Sequence, residues 1–257
     1  MAKPQAEMVL DLLHSLRTIH GTFADQAVAE DDMERILGAA VRAANSSARQ
    51  CYSIIRLGGV ERVREVCGYA APQALVFLSD FTRINDEARR RGFAAYQPGL
   101  FELLTTTIDA SLAAQTAIVA AKALGLDSMV TNSPLRLGEP EQMAALLDLP
   151  PEACLPLFAV LFGYPRTEPD HKQKRYLGPG LLHRDRYQRL TEDQLRAMSA
   201  EYDQPGMGLG STPWREQGYE SYFDWFFRAW RPTPDNSKVK PPADLALAWA
   251  RRAGFVR

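Results

Sequence analysis

Much that would announce a chemistry is missing from this chain of 257 residues. It has three cysteines, Cys51, Cys67 and Cys154, none in Cys-x-x-Cys spacing. That spacing excludes a cysteine metal cluster, and the odd number argues against a disulfide framework, so a reduced, cytoplasmic setting is expected. An excess of either charge is also missing: 30 Lys and Arg stand against 31 Asp and Glu. No global field therefore draws the chain to nucleic acid or to an acidic membrane. No uncharged apolar run of about 18 residues is evident, which predicts that nothing spans a bilayer. Asp11 and His14 interrupt the N-terminal stretch where a signal peptide would need a continuous apolar core. There is no internal repeat, and no His-Asp or Cys-His constellation that would build a nucleophile. What remains is an ordinary globular composition, 46% hydrophobic and 24% charged, enough for one large domain or two small ones.

The apolar pattern supplies the elements. Met8 to Leu16 reads as a helix ending at the basic segment Arg17-Thr18-Ile19-His20. Glu30-Asp31-Asp32 open a second helix, where carboxylates favour the positive end of the dipole, and it runs to about Asn45. A short polar loop, Asn45 to Gln50, leads into a strand over Tyr52–Leu57, and a second strand covers Ala74–Leu78. Thr105 to Leu124 carries the longest helical signal, roughly 30 Å at 1.5 Å per residue. Its surface is apolar on nearly every side and rich in alanine, which predicts a central helix at a core or a subunit interface. Gly125 stops it. Ser128–Thr131 and Leu155–Phe162 read as strands, Glu141–Leu147 as a short helix. Two helices precede every strand, which favours an α+β, three-layer α-β-α arrangement around a central mixed sheet.

From about residue 178 the character changes. Gly178, Pro179 and Gly180 break structure, Thr191 caps a helix, and Tyr219 to Trp230 is dense in aromatics. Rings so concentrated need a buried place, so residues 178–257 are expected to wrap either the core formed by residues 1–177 or a partner subunit. A second basic run, Lys172-Gln173-Lys174-Arg175, follows Gly163-Tyr164-Pro165. Taken singly, each basic run reads as solvated surface. Together they suggest two sides of one anion site.

Helix, basic motif, acidic helix start, Ser-rich loop ending in Gln, Ala-rich helix ending in Gly-Leu, and Gly-Tyr-Pro before Lys and Arg keep an order. In that order the chain resembles the nitroreductase superfamily of FMN-dependent oxidoreductases over about residues 8 to 178. The resemblance implies a homodimer with active sites at the subunit interface and the long helix at the dimer contact. It implies that Arg17, Thr18 and His20 meet the FMN phosphate, ribityl chain and pyrimidine edge. His20 stands where the family usually has Arg or Lys, so a flavin potential that depends on pH near neutrality is expected. Asn45, Ser46, Ser47 and Gln50 match the family's cofactor loop, commonly supplied by the second subunit. Ala48 replaces the usual Asn and Cys51-Tyr52 the usual Pro-Trp. Arg49 is a candidate to replace the charge lost at His20.

Thr131, Asn132 and Ser133 fall where the family's backbone approaches flavin N5. Lys174 and Arg175, with Lys172 close by, match its Lys-x-Arg phosphate element. A helix around Arg89 to Phe101 is expected where the family places its mobile substrate lid, with Tyr96 and Phe101 as candidates to stack on a substrate or to anchor the core. The implied activity is hydride transfer from NADH or NADPH, through FMN, to an electron-poor small molecule such as a nitroaromatic or quinone, by a ping-pong route. Flavin N5 carries the chemistry and no side chain serves as catalytic acid or base. The alternatives within the fold are reductive dehalogenation, ene reduction or dehydrogenation, or a flavin-binding scaffold without catalysis. No metal is expected.

Overall fold

A computed structural model describes residues 4–168, 172–208, 214–230 and 242–256. The chain forms two compact units, Met1–Thr167 with Lys240–Arg257, and Glu168–Val239. The division falls ten residues before the expected break at 177/178, and the last helix belongs to the first unit.

The first unit is built on a four-stranded sheet in the order β1-β2-β4-β3: β1 Tyr52–Gly58, β2 Gln73–Asp80, β3 Asp127–Thr131 and β4 Cys154–Gly163. These strands pair antiparallel, and the parallel contribution is the isolated bridge Thr18↔Ser128 at the edge of β3. In helical order the chain adds α1 Gln5–Ser15, α2 Glu30–Ala40, α3 Val60–Cys67, α4 Thr82–Arg90, α5 Leu100–Ala123, α6 Ser133–Arg136 and α7 Pro140–Leu147. One face of the sheet packs on α2 and α5, through Met33, Ile36, Ala40, Ala110, Ala113, Ala117 and Phe77. The other packs on α3, α7 and the C-terminal helix, through Val63, Val66, Met143, Trp249 and Phe255. Three layers result, and β2, covered on both faces, is the continuous apolar run its sequence suggested.

The long helix differs from expectation in two ways. It begins at Leu100, where Glu102 Oε2 accepts the Gly99 N–H at 2.8 Å. It is also one-sided: Ala110, Ala113, Ala114, Ala117 and Ala121 are buried, whereas Leu100, Leu104, Ile108 and Leu112, spaced four apart, are exposed. Alanine lets β4 and α2 come close, and the larger side chains line the opposite ridge. By length and composition α5 would suffice to cross a membrane, contrary to the apolar-run reading, yet its Asp109 is buried and hydrogen-bonded to the Ser-rich loop. Residues 93–99, expected within a lid helix, form an irregular connection after α4 ends at Arg90.

The second unit contains α8 Glu192–Tyr202, capped by Thr191 as its Thr-x-x-Gln spacing indicated, then α9 Tyr222–Trp225 and a wide helical turn over Phe226–Trp230. Trp214, Tyr222 and Trp225 form its own aromatic core, with Tyr202, Tyr219, Phe223 and Phe226 around them. The final helix, α10 Pro242–Arg252, returns to the first unit: Trp249 is buried, and the Ala153 N–H donates to Ala253 O at 2.9 Å.

Candidate active site

The expected site residues fall at three places. The first is the edge of β3. The Ile19 N–H donates to Ser128 O at 3.1 Å, laying Arg17–His20 along the start of that strand. Arg17 donates from Nε and Nη2 to Asp127 Oδ2 at 2.9 and 2.6 Å. Lys122, from the last turn of α5, donates to Asp127 Oδ1 at 2.6 Å. The Asp127 side chain is fully enclosed, and Arg17 and Lys122 keep about a fifth of their side chains open. Thr18 and His20 are exposed. Neither Asp127 nor Lys122 was found from the sequence, because the carboxylate looked like an ordinary strand residue and the lysine like a helix-end cation.

The far end of the same strand carries the expected N5 turn. Thr131 Oγ1 and Ser133 Oγ lie 2.7 Å apart, and Thr131 Oγ1 also accepts the Ser133 N–H at 3.1 Å, so the side chains fold the backbone into the turn that starts α6. Arg136 donates to Asn132 Oδ1 at 3.3 Å. Four residues separate Asp127 from Thr131, about 13 Å along a strand. Gly163 closes this edge: a β-carbon there would stand 2.9 Å from Phe23 and 3.0 Å from Pro72, so only glycine lets the chain beside β3 approach β4. Next to it, the Ala24 N–H donates to Tyr164 O at 2.8 Å and the Arg166 N–H to Thr22 O at 2.8 Å.

The second place is the Ser-rich loop. Asp109, buried in α5, accepts the Ser46 N–H on both oxygens at 3.0 and 3.1 Å. Asn45 Oδ1 accepts the Gln50 N–H at 3.2 Å, and Arg83 of α4 donates to Gln50 O at 2.6 Å. Ser47, Ala48 and Gln50 all hold positive φ, 54°, 54° and 49°. Such backbone costs roughly 1–3 kcal/mol per non-glycine residue and persists where its surroundings over-determine it. Cys51 follows directly; it is buried, and burial pushes its thiol pKa up, as suits a packed residue rather than a nucleophile.

These two places occupy diagonal corners of the sheet. Register runs Ser128↔Phe162, Phe162↔Gln73, Gln73↔Gly58, so the Arg17 corner lies level with the end of β1, and the Ser-rich loop lies beyond its start at Tyr52. Six residues along β1 and three strand spacings across give a diagonal of roughly 25 Å. The helix agrees: Asp109 and Lys122 are 13 residues apart, about 20 Å. Within one chain no single anion touches both corners.

The third place lies in the second unit. Lys172, Lys174, Arg175 and Glu201 line an open cavity of about 430 Å³. The Lys174 N–H donates to Gly206 O at 2.8 Å, and Arg175 donates to Lys174 O at 3.1 Å, so this run is tied to its own unit.

Tyr96 and Phe101 stand around the start of α5. Tyr96 is fixed by exchange of backbone bonds with the Asn85 amide, at 2.8 and 3.0 Å, and its ring lies 5.7 Å from Phe81. Its hydroxyl donates to Glu102 Oε1 at 2.5 Å, which pushes the phenol pKa up and the carboxyl pKa down. Phe101 is three-quarters exposed. Among the described residues no cluster of His, Cys, Asp and Glu could hold a metal.

The donor set suits a phosphate-bearing ligand: an oriented guanidinium beside an ammonium, with a hydroxyl-rich turn farther along the same strand. The model of the Nitroreductase family matches residues 15–164. The oxygen-insensitive NADPH nitroreductase of Salmonella typhimurium is 32% identical over 212 residues, covering 76% of this chain and 79% of that protein. An FMN reductase (NAD(P)H) of Bacillus subtilis is 28% identical over 193 residues, 71% of this chain and 75% of that one. The structure of NADPH:FMN oxidoreductase from Vibrio harveyi, complexed with NAD+, superposes with a TM-score of 0.73 at 19% identity, over 96% of this chain and 98% of that one, and shares the fold.

Proposed function

This chain belongs to the nitroreductase family, and from that premise we propose that it is an enzyme that uses FMN to pass a hydride from NADH or NADPH to an electron-poor small molecule. Nitroaromatics and quinones are the acceptor class. The observation that carries the reading is the layout of β3. One end offers a cationic corner, Arg17 with Lys122; the other offers the Thr131–Ser133 turn. An elongated cofactor with an anionic end and a polar ring edge fits that strand.

The residues divide the work accordingly. Arg17 binds the phosphate, with Thr18 as a hydroxyl donor and His20 toward the pyrimidine edge. The backbone of Thr131, Asn132 and Ser133 presents donors near the reacting atom. The family's Lys-x-Arg element falls on Lys174 and Arg175, in the second unit. The chemistry supplied by bound FMN is acceptance and return of a hydride at N5; one face serving donor and acceptor in turn makes the cycle ping-pong. Tyr96 and Phe101 flank the acceptor.

Asn45, Ser46, Ser47 and Gln50 reach a cofactor only across a subunit boundary, because their corner is roughly 25 Å from Arg17 in the same chain. A homodimer meets that condition. The exposed ridge Leu100, Leu104, Ile108, Leu112 on α5, the helix that spans both corners, is apolar enough to be its contact. We place the enzyme in the cytoplasm, where its three buried free thiols stay reduced.

The test is the visible spectrum of the purified protein, followed by anaerobic addition of NADH or NADPH. Flavin absorbance that bleaches with either nucleotide and returns with a nitroaromatic or quinone is expected. A protein that stays colourless and takes up no added FMN would rule the reading out.

A further inference from the structure

We propose that Asp127 is a positioning residue that joins Arg17 and Lys122 into one two-cation clamp, and that Lys122 is the second cation on the FMN phosphate. The inference rests on the flavin reading above. A carboxylate beside a phosphate site is at first sight misplaced, since the two anions repel. Its position resolves the difficulty. The Asp127 side chain is wholly enclosed, whereas Arg17 and Lys122 are each about one-fifth exposed. The carboxylate is therefore the most enclosed of the three, and the solvent exposure of the trio belongs to the cations.

Each oxygen has its own partner: Oδ2 accepts from Arg17 Nε and Nη2, Oδ1 from Lys122 Nζ. Sharing one carboxylate brings the cations within a few ångströms of each other, a spacing they would not keep without an anion between them. Taking Arg17 through Nε and one terminal nitrogen fixes the plane of the guanidinium, on which two-point recognition of a phosphate depends. Among the described residues Lys122 spends one of its three N–H donors on Asp127. Within this trio two positive charges stand against one negative, a balance that favours an anion beside them. A purely structural account exists: Lys122 would complement the negative end of the α5 dipole, and Asp127 would neutralise it. The two accounts part on the phosphate.

The measurement compares FMN with riboflavin, which lacks the phosphate, on the flavin-free full-length protein. The ratio of the two dissociation constants isolates the phosphate contribution. Lys122→Met should weaken FMN about tenfold, a change of one decade in Kd, and leave riboflavin unchanged. Asp127→Asn should also weaken FMN selectively, although it raises the positive charge of the corner by one; that sign separates positioning from simple charge. Arg17→Met serves as the reference. If Arg17→Met collapses the ratio while Lys122→Met and Asp127→Asn keep it, the clamp is wrong and the flavin reading stands. Should Arg17→Met keep the ratio as well, the phosphate reading itself fails. Equal loss of FMN and riboflavin in Lys122→Met would mark a structural role and overturn the clamp. Where Asp127→Asn does not fold, Lys122→Met decides alone.

Discussion

Asp109 holds Ser46 by its backbone N–H, on both carboxylate oxygens, across 63 residues of sequence. The bond ties the Ser-rich loop to α5 and retains three left-handed residues in a segment without glycine. Replacing Asp109 with Ala leaves the Ser46 N–H without its anionic acceptor. We expect a loss of about 1.5–3 kcal/mol, the range for hydrogen bonds to charged groups. Urea unfolding measures it, and a wild-type midpoint would show that the loop holds itself.

The apolar ridge of α5 gives a second expectation. Ile108 is 60% exposed in the single chain, so Ile108→Glu should cost a monomer under about 0.5 kcal/mol. In a dimer built on that ridge the same change buries two carboxylates. Sedimentation should then show monomers, with flavin lost in parallel because the Asn45–Gln50 loop no longer arrives from the partner. A variant that remains dimeric and yellow would move the interface elsewhere.

How much of this could be read in the sequence depends on the kind of signal. The strands were legible because runs such as Ala74–Phe77 are buried on both faces. Thr191 with Gln194 announced α8. Helix α3 was not legible: Val60, Val63, Val66 and Cys67 have helical spacing, but Glu and Arg fill the gaps and the segment looks like a charged loop. The ridge on α5 was hidden because Leu100, Leu104, Ile108 and Leu112 are as apolar as any core residues, and only their neighbours in space distinguish inside from outside. The site shows the same limit. The order of motifs singled out Arg17, Ser46 and Thr131, yet the partners that hold two of them, Asp127 and Asp109, lie 110 and 63 residues away.

Burial of Cys67 and Cys154 sets a pH dependence. Both thiols are pushed up to about 12 from an ordinary 9.0, because an enclosed thiolate loses its hydration. A folded pKa above the unfolded one means a contribution fully present below about pH 9 and lost as pH rises toward 12. Stability should therefore fall through that window. Cys67→Ser with Cys154→Ser should flatten the slope, read from denaturation midpoints at pH 8 and pH 10.5. An unchanged slope would assign the alkaline loss to other groups.

Tyr52 offers a test of opposite sign. Its hydroxyl is buried without a partner among the described residues. Such a group is destabilising by about 1–3 kcal/mol, so Tyr52→Phe should be neutral or stabilising. A loss above about 1 kcal/mol would reveal an acceptor supplied by water or by a second subunit.

The return of α10 to the first unit sets an order of events during synthesis. Trp249 and Phe255 fill the core beside Val63 and Met143, yet in the sequence they follow all of Glu168–Val239. At about 5–20 residues per second, the nascent first unit waits several seconds with an open apolar face. Its completion therefore waits for those residues, and the interval before it is when a chaperone, or another nascent copy, has access to that face.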